Sequence, residues 1–105
     1  MNICTKIIET LDDLRRYING VLCQQDQLEV DAFPLTQRVL VRNESPCGIY
    51  YCLHGPRSVK FSAVWDAVQN TVLFYGASGE RYLTTKLTKG PHLALVEARE
   101  YRPAA

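Results

Sequence analysis

Cys47, Cys52 and His54 fall within eight residues of one another. Thiolate and imidazole are good zinc ligands, and on an extended segment Cys52 and His54 share one face. The pattern C-x4-C-x-H supplies three donors and has no second paired motif. A tetrahedral site would have to recruit Cys23 or Cys4 from the N-terminal segment. The plainer alternative is two small half-buried thiols and a surface histidine, so no metal is expected. A Cys–His nucleophile fares no better. Two residues apart on a strand, the side chains of Cys52 and His54 stand about 6–7 Å apart, too far for the hydrogen bond that activates a thiol. No G-x-S-x-G, H-E-x-x-H, P-loop or dinucleotide signature occurs. The acids Asp12, Asp13, Asp26, Glu29 and Asp31 cluster on a predicted helix and its exit, which leaves a paired-carboxylate site without support. The expectation is a protein that is not an enzyme and carries no cofactor.

Binding chemistry is better supplied. The stretch His54-Gly-Pro-Arg57 sets an imidazole and a guanidinium around a tight turn, and arginine forks suit carboxylate and phosphate oxygens. Alternation along the predicted strands puts Arg38, Arg42, Tyr50, Lys60, Tyr82 and Lys86 on one sheet face, with either Leu73 and Tyr75 or Val72 and Phe74. Tyrosine and arginine dominate protein–protein hot spots. Aromatics among bases can also stack nucleobases and hold phosphates, although no basic–glycine–aromatic run is present. The structural alternative is that the tyrosines pack across strands and the lysines solvate the surface. The candidate binding residues are therefore Arg38, Arg42, Tyr50, His54, Arg57, Lys60, Tyr82 and Lys86.

Turn chemistry marks the elements that must position these groups. Asn43–Gly48, His54–Arg57, Ala67–Asn70 and Gly76–Gly79 are loop clusters, and β-branched and aromatic residues lie between them. Strands are predicted at about 37–43, 48–54, 58–66, 71–76 and 81–87, as an antiparallel meander of four or five. Ahead of them, Ile7, Leu11, Leu14, Ile18, Val21 and Leu22 recur at helical spacing. A helix is predicted over about 7–25; Thr10 followed by Asp13 resembles a capping box, and a start nearer Thr5, with Thr10 inside the helix, is the alternative. Residues 24–34 read as a connection. Residues 91–101 fit a first-turn proline helix or a strand, with strand slightly preferred.

The chain has 105 residues, enough for one domain with one modest core, and 47% hydrophobic and 22% charged residues are ordinary globular values. Net charge is +1 but unevenly spread. Residues 1–31 carry three bases (Lys6, Arg15, Arg16) against six acids (Glu9, Asp12, Asp13, Asp26, Glu29, Asp31), and residues 32–92 carry seven bases against three acids. Helix and sheet are thus expected to complement each other in charge. Four cysteines permit two disulfides, but no secretory signal pattern opens the chain, so reduced thiols in the cytoplasm are expected. No apolar stretch approaches the ~20 residues of a membrane span.

The expected fold is α+β: an N-terminal amphipathic helix on the meander, with Trp65, Phe61, Val59, Val39, Val41, Leu11, Leu14 and Ile18 in the core. A helix is about 10–12 Å across and five strands span about 20 Å, so one helix cannot cover a sheet face unaided. Curl with some self-association is the expected remedy. The expected function is a cytoplasmic protein-interaction module acting through the second sheet face and the 54–57 loop on a protein partner or a second copy. Single-stranded nucleic-acid binding is the alternative.

Overall fold

Thr10 decides where the helix begins. Its backbone is extended (φ −123°, ψ 161°) and its hydroxyl accepts the Asp13 N–H at 3.0 Å, which satisfies one of the open donors of the first turn. Asp12 and Asp13 in that turn suit the helix dipole. Helix α1 therefore runs Leu11–Gln25, four residues later than its apolar period suggests. In the computed structural model, which describes residues 2–89, the residues before it form strand β1, Asn2–Ile7. The helical reading of residues 7–10 is thus corrected. Ile3, Thr5 and Ile7 alternate with Cys4 and Lys6, a period of two with β-branched residues on one side, which favours a strand.

Beyond α1 the chain forms β2 (Leu35–Arg42), β3 (Ser45–His54), β4 (Lys60–Asp66), β5 (Thr71–Tyr75) and β6 (Arg81–Lys89), with a short 3-10 turn at Pro56–Ser58. The sheet has six strands in the order β1-β6-β5-β4-β3-β2. Five make the expected antiparallel meander, and β1 joins β6 in parallel. The chain starts at one edge, crosses through α1 to the other, and returns hairpin by hairpin. The fold is α+β as expected, with six strands instead of four or five. The segment 91–101, read as strand or helix, lies outside the described residues.

The turns explain the strand ends. Asn43 and Glu44 both adopt positive φ (51° and 66°), which makes a two-residue hairpin and lets Ser45, Pro46 and Cys47 join β3 instead of a loop. Asp66 accepts the N–H groups of Val68 and Gln69 through Oδ1. Asn70 then turns the chain with φ 51°.

Leu14, Ile18 and Leu22, one per helical turn, are fully buried. They belong to the same core as Ile49, Tyr51 and Leu53 of β3, Ala63 and Trp65 of β4, and Val72 and Phe74 of β5, all at 0% exposure. Six strands span about 24 Å, so the helix does not cover this face alone. Leu28 and Phe33 of the connecting segment pack against the core. Arg15 reaches across to the Leu35 carbonyl and Gln37 Oε1 on β2. On the other side the Tyr17 hydroxyl meets Thr85 Oγ1 at 2.8 Å, and Cys4 Sγ lies 3.3 Å from the same oxygen. Thr85, the one buried polar residue described outside the apolar core, is thereby bonded from β1 and from α1.

The expected core holds at Trp65, Phe61, Leu11, Leu14 and Ile18, and Val39 and Val59 pack partly buried. Val41 is the exception, at 49% exposure. A bulge shifts the register between Leu40, opposite Gly48, and Val41, opposite Pro46, so Val41 sits past a kink near the end of an edge strand.

Asn70 ties three strands together. Its Oδ1 accepts the Trp65 indole N–H at 3.0 Å, its amide donates to the Leu87 carbonyl, and its own carbonyl accepts the Leu87 N–H. Asn70→Gly removes the side-chain bonds while keeping the turn relaxed, and leaves a buried donor unpaired at a cost of about 1–3 kcal/mol. Asn70→Ala adds the left-handed backbone penalty and is expected to lower the urea midpoint further than Asn70→Gly does. A second expectation concerns base. Burial pushes the Tyr17 hydroxyl up to about 12 from an ordinary 10.0, against a lowering bond from Thr85. The folded state holds this proton more tightly than the unfolded chain, so the stabilisation is intact below pH 10 and is lost as pH rises toward 12. Urea midpoints measured from pH 9 to 12 should fall, and fall less steeply in Tyr17→Phe.

Candidate functional site: the sheet face opposite the helix

The side of the sheet away from α1 is organised in rows, because directly paired residues point the same way. One row crosses all six strands: Ile3, Thr84, Leu73, Val64, Tyr50, Arg38. A second runs Thr5, Lys86, Thr71, Asp66, Gly48, Leu40. A third holds Tyr75, Ser62, Cys52 and Thr36, and His54 pairs with Lys60 beyond it. The middle of the face is aliphatic and half-exposed at Leu40, Val64 and Leu73. Ile3 and Ile7 extend the apolar surface on β1 at 72% and 66% exposure. Arg38, Arg42, Lys60 and Lys86 are exposed at its margins, and Asp66 is the acid in the rows.

Six candidates from the sequence lie on this face: Arg38, Arg42, Tyr50, His54, Lys60 and Lys86. The Arg38 guanidinium lies over the Tyr50 ring, 5.5 Å from its centroid. The open choice on β5 resolves to Leu73 and Tyr75 on this face, with Val72 and Phe74 in the core. His54 shares the face and its Nε2 meets Thr36 Oγ1 at 2.9 Å. Arg57 does not join them. It is exposed, holds φ 57°, and lines a separate hollow with Asp26, Leu28 and Phe61 at the helix-exit end.

Tyr82 is a correction. The register of β5 with β6 passes from Phe74–Leu83 to Tyr75–Arg81, which leaves Tyr82 as the extra residue of a bulge. It turns to the helix side, where its ring is 6.3 Å from that of Phe74 and packs against the core. Burial, with Asp26 and Glu80 nearby, pushes its hydroxyl up to about 12.

The thiol–imidazole cluster does not assemble. Five residues along β3 separate Cys47 from Cys52 by about 16 Å. Cys52, buried, and His54 lie on the outer side of the sheet, whereas Cys23 is buried on α1 and Cys4 bonds Thr85 on the helix side. Among the described residues, no three potential ligands gather into a metal-holding group. Burial also pushes the Cys23 thiol up, with Asp31 adding to the effect.

Sequence reasoning missed a hollow of ≈ 260 Å³ at the Arg42 end of the face. Leu40, Val64 and Leu73 form part of its lining, with Cys47, Val68 and Arg42 around them. Gly48 stands in the row between Asp66 and Leu40 and contributes no side chain. A Cβ there would overlap the Trp65 carbonyl. A glycine flanked by strand residues marks this close backbone approach.

No protein-family model, curated protein or solved structure matches this chain. No described helix is long and apolar enough to cross a membrane.

Gly48→Ala should force β3 away from β4 and cost about 1–3 kcal/mol or more. Its denaturation midpoint is expected to fall further than that of Gly20→Ala, since a Cβ at Gly20 meets nothing within 4 Å and alanine favours a helix.

Proposed function

We propose that this protein is a non-enzymatic interaction module of a reducing compartment such as the cytoplasm, and that it binds a protein partner through the outer sheet face. The carrying observation is the row from Ile3 to Arg38: aliphatic through its middle, open among the described residues on the side away from α1, and bordered by bases. Each large apolar side chain buried by a partner is worth about 1.5–3 kcal/mol, and contiguous apolar surface with a polar rim marks interaction sites. The four cysteines are free, which suits a reducing compartment.

Two features favour protein over single-stranded nucleic acid. The Tyr50 ring already carries Arg38, so it is not an open stacking platform, and the centre of the face is aliphatic. The charge pattern favours a different chain over a second copy, because pairing this face with itself sets basic margins against basic margins.

A photo-crosslinking residue placed at Ile3 or Lys86 should give protein adducts in extract from the native cells. The same residue at Asp12, on the helix side, should give few. Charge reversal at Arg38 and Lys60 should reduce the adducts several-fold while the melting curve stays within about 0.5 kcal/mol of the parent, as expected for surface substitutions. Equal yields from both sides of the molecule would remove the reading.

A further inference from the structure

We infer that the partner engages this face by seating one bulky apolar side chain of an acidic segment in the hollow beside Gly48, with its neighbouring carboxylates directed to Arg42 and Arg38. The inference rests on the proposed use of the outer face and names what that face reads. Size argues first. At ≈ 260 Å³ the hollow lies below the roughly 300–1,000 Å³ of sites that enclose drug-sized ligands or cofactors, and it suits a single side chain. Its lining argues next. Leu40, Val64 and Leu73 offer aliphatic contact, and Val68, 78% exposed on the β4–β5 turn, stands beside them as a side chain a guest would cover.

The hollow is also built firmly. The Cys47 carbonyl takes the Ala67 N–H at 2.9 Å, and Asp66 holds the Val68 and Gln69 N–H groups, so the walls on both sides are hydrogen-bonded. Charge selects the guest's surroundings. Arg42 lines the hollow, Arg38 lies on the same strand and Lys86 stands in the row of Asp66 and Leu40; against these three bases Asp66 sets one carboxylate, whose Oδ1 is engaged by its own turn. An acidic segment gains from this field and a basic one is repelled.

The test uses the full-length protein, isotope-labelled, and three capped pentapeptides followed by amide chemical shifts. One has phenylalanine flanked on each side by two acidic residues, one has alanine in its place, and one has phenylalanine flanked by lysines. The acidic phenylalanine peptide should move the amides of Leu40, Gly48, Val64, Val68 and Leu73 and bind at least five-fold more tightly than the other two. Arg42→Gln should erase the preference for acidic over basic flanks. Val68→Ser should weaken the phenylalanine peptide but leave the alanine peptide unchanged. Both positions are exposed, and an unchanged spectrum elsewhere confirms that each variant folds.

Equal binding of all three peptides, or shifts confined to other surfaces, overturns the inference. So does any of three rival occupants. An octauridine that moves the same amides more strongly assigns the hollow to nucleic acid, and concentration-dependent shifts without peptide assign it to a second copy. Through-space contacts from Leu93, Leu95 or Val96 to Val64 or Leu73 assign it to the chain's own tail. If the peptides fail while crosslinking from Ile3 and Lys86 still captures a protein, the acidic-anchor chemistry falls and the binding face stands. If both fail, both fall.

Discussion

The seam between α1 and the middle of the sheet sets everything else. Leu14, Ile18 and Leu22 share one buried core with Tyr51, Trp65 and Phe74 and leave no exposed area. Once those three aromatic residues point toward the helix, the period of two sends Tyr50, Val64, Leu73 and Tyr75 to the opposite side. A slip of one residue in any central strand would exchange the two sets, so burial of one face fixes the composition of the other. The outer face is therefore specified by the core even though it takes no part in it. The register escapes that rule at bulges, and those at Cys47 and Tyr82 are where side chains depart from simple alternation.

This explains which parts of the architecture were legible in the sequence. The meander could be read because its strands alternate cleanly and its turns carry residues with specific backbone preferences. The end of the helix could be read, but its start was blurred because Ile7 and Ile8 fit a period of 3.6 as well as an extended segment. Strand β1 left little local trace. Its partner lies about 80 residues away in parallel, a pairing that no turn signature announces. Tyr82 was misplaced because one inserted residue changes a side chain's face without any mark in composition, and Val41 because it sits past a kink near the end of an edge strand. Of the candidate site, the bases and Tyr50 were legible from alternation. The hollow was not, because its walls come from β2, β3, β4, β5 and the β4–β5 turn and meet only once the strand register is known.

Charge is sorted across the thickness of the molecule. Asp12, Asp13, Asp26 and Asp31 belong to α1 and its exit, and the exposed bases of the rows lie beyond the sheet. Within the helix Asp13 pairs with Arg16 at 3.2 Å, an exposed contact that contributes little to stability. The larger effect is a field with a direction. A negatively charged macromolecule approaching from solution is turned toward the basic side before contact, which raises the encounter rate at low ionic strength and fades as salt screens it.

The parallel seat of β1 carries a consequence for how the chain is made. The ribosome delivers residues 2–7 long before their hydrogen-bonding neighbours, residues 83–89. At roughly 5–20 residues per second, that interval is on the order of ten seconds. For that time the nascent protein displays a bare β-branched ribbon that no local structure can shelter. Two chains growing side by side can each accept the other's opening ribbon in place of their own, with the same hydrogen bonds and the same neighbours. The order of synthesis thus makes the first strand both the last to be secured and the easiest to trade.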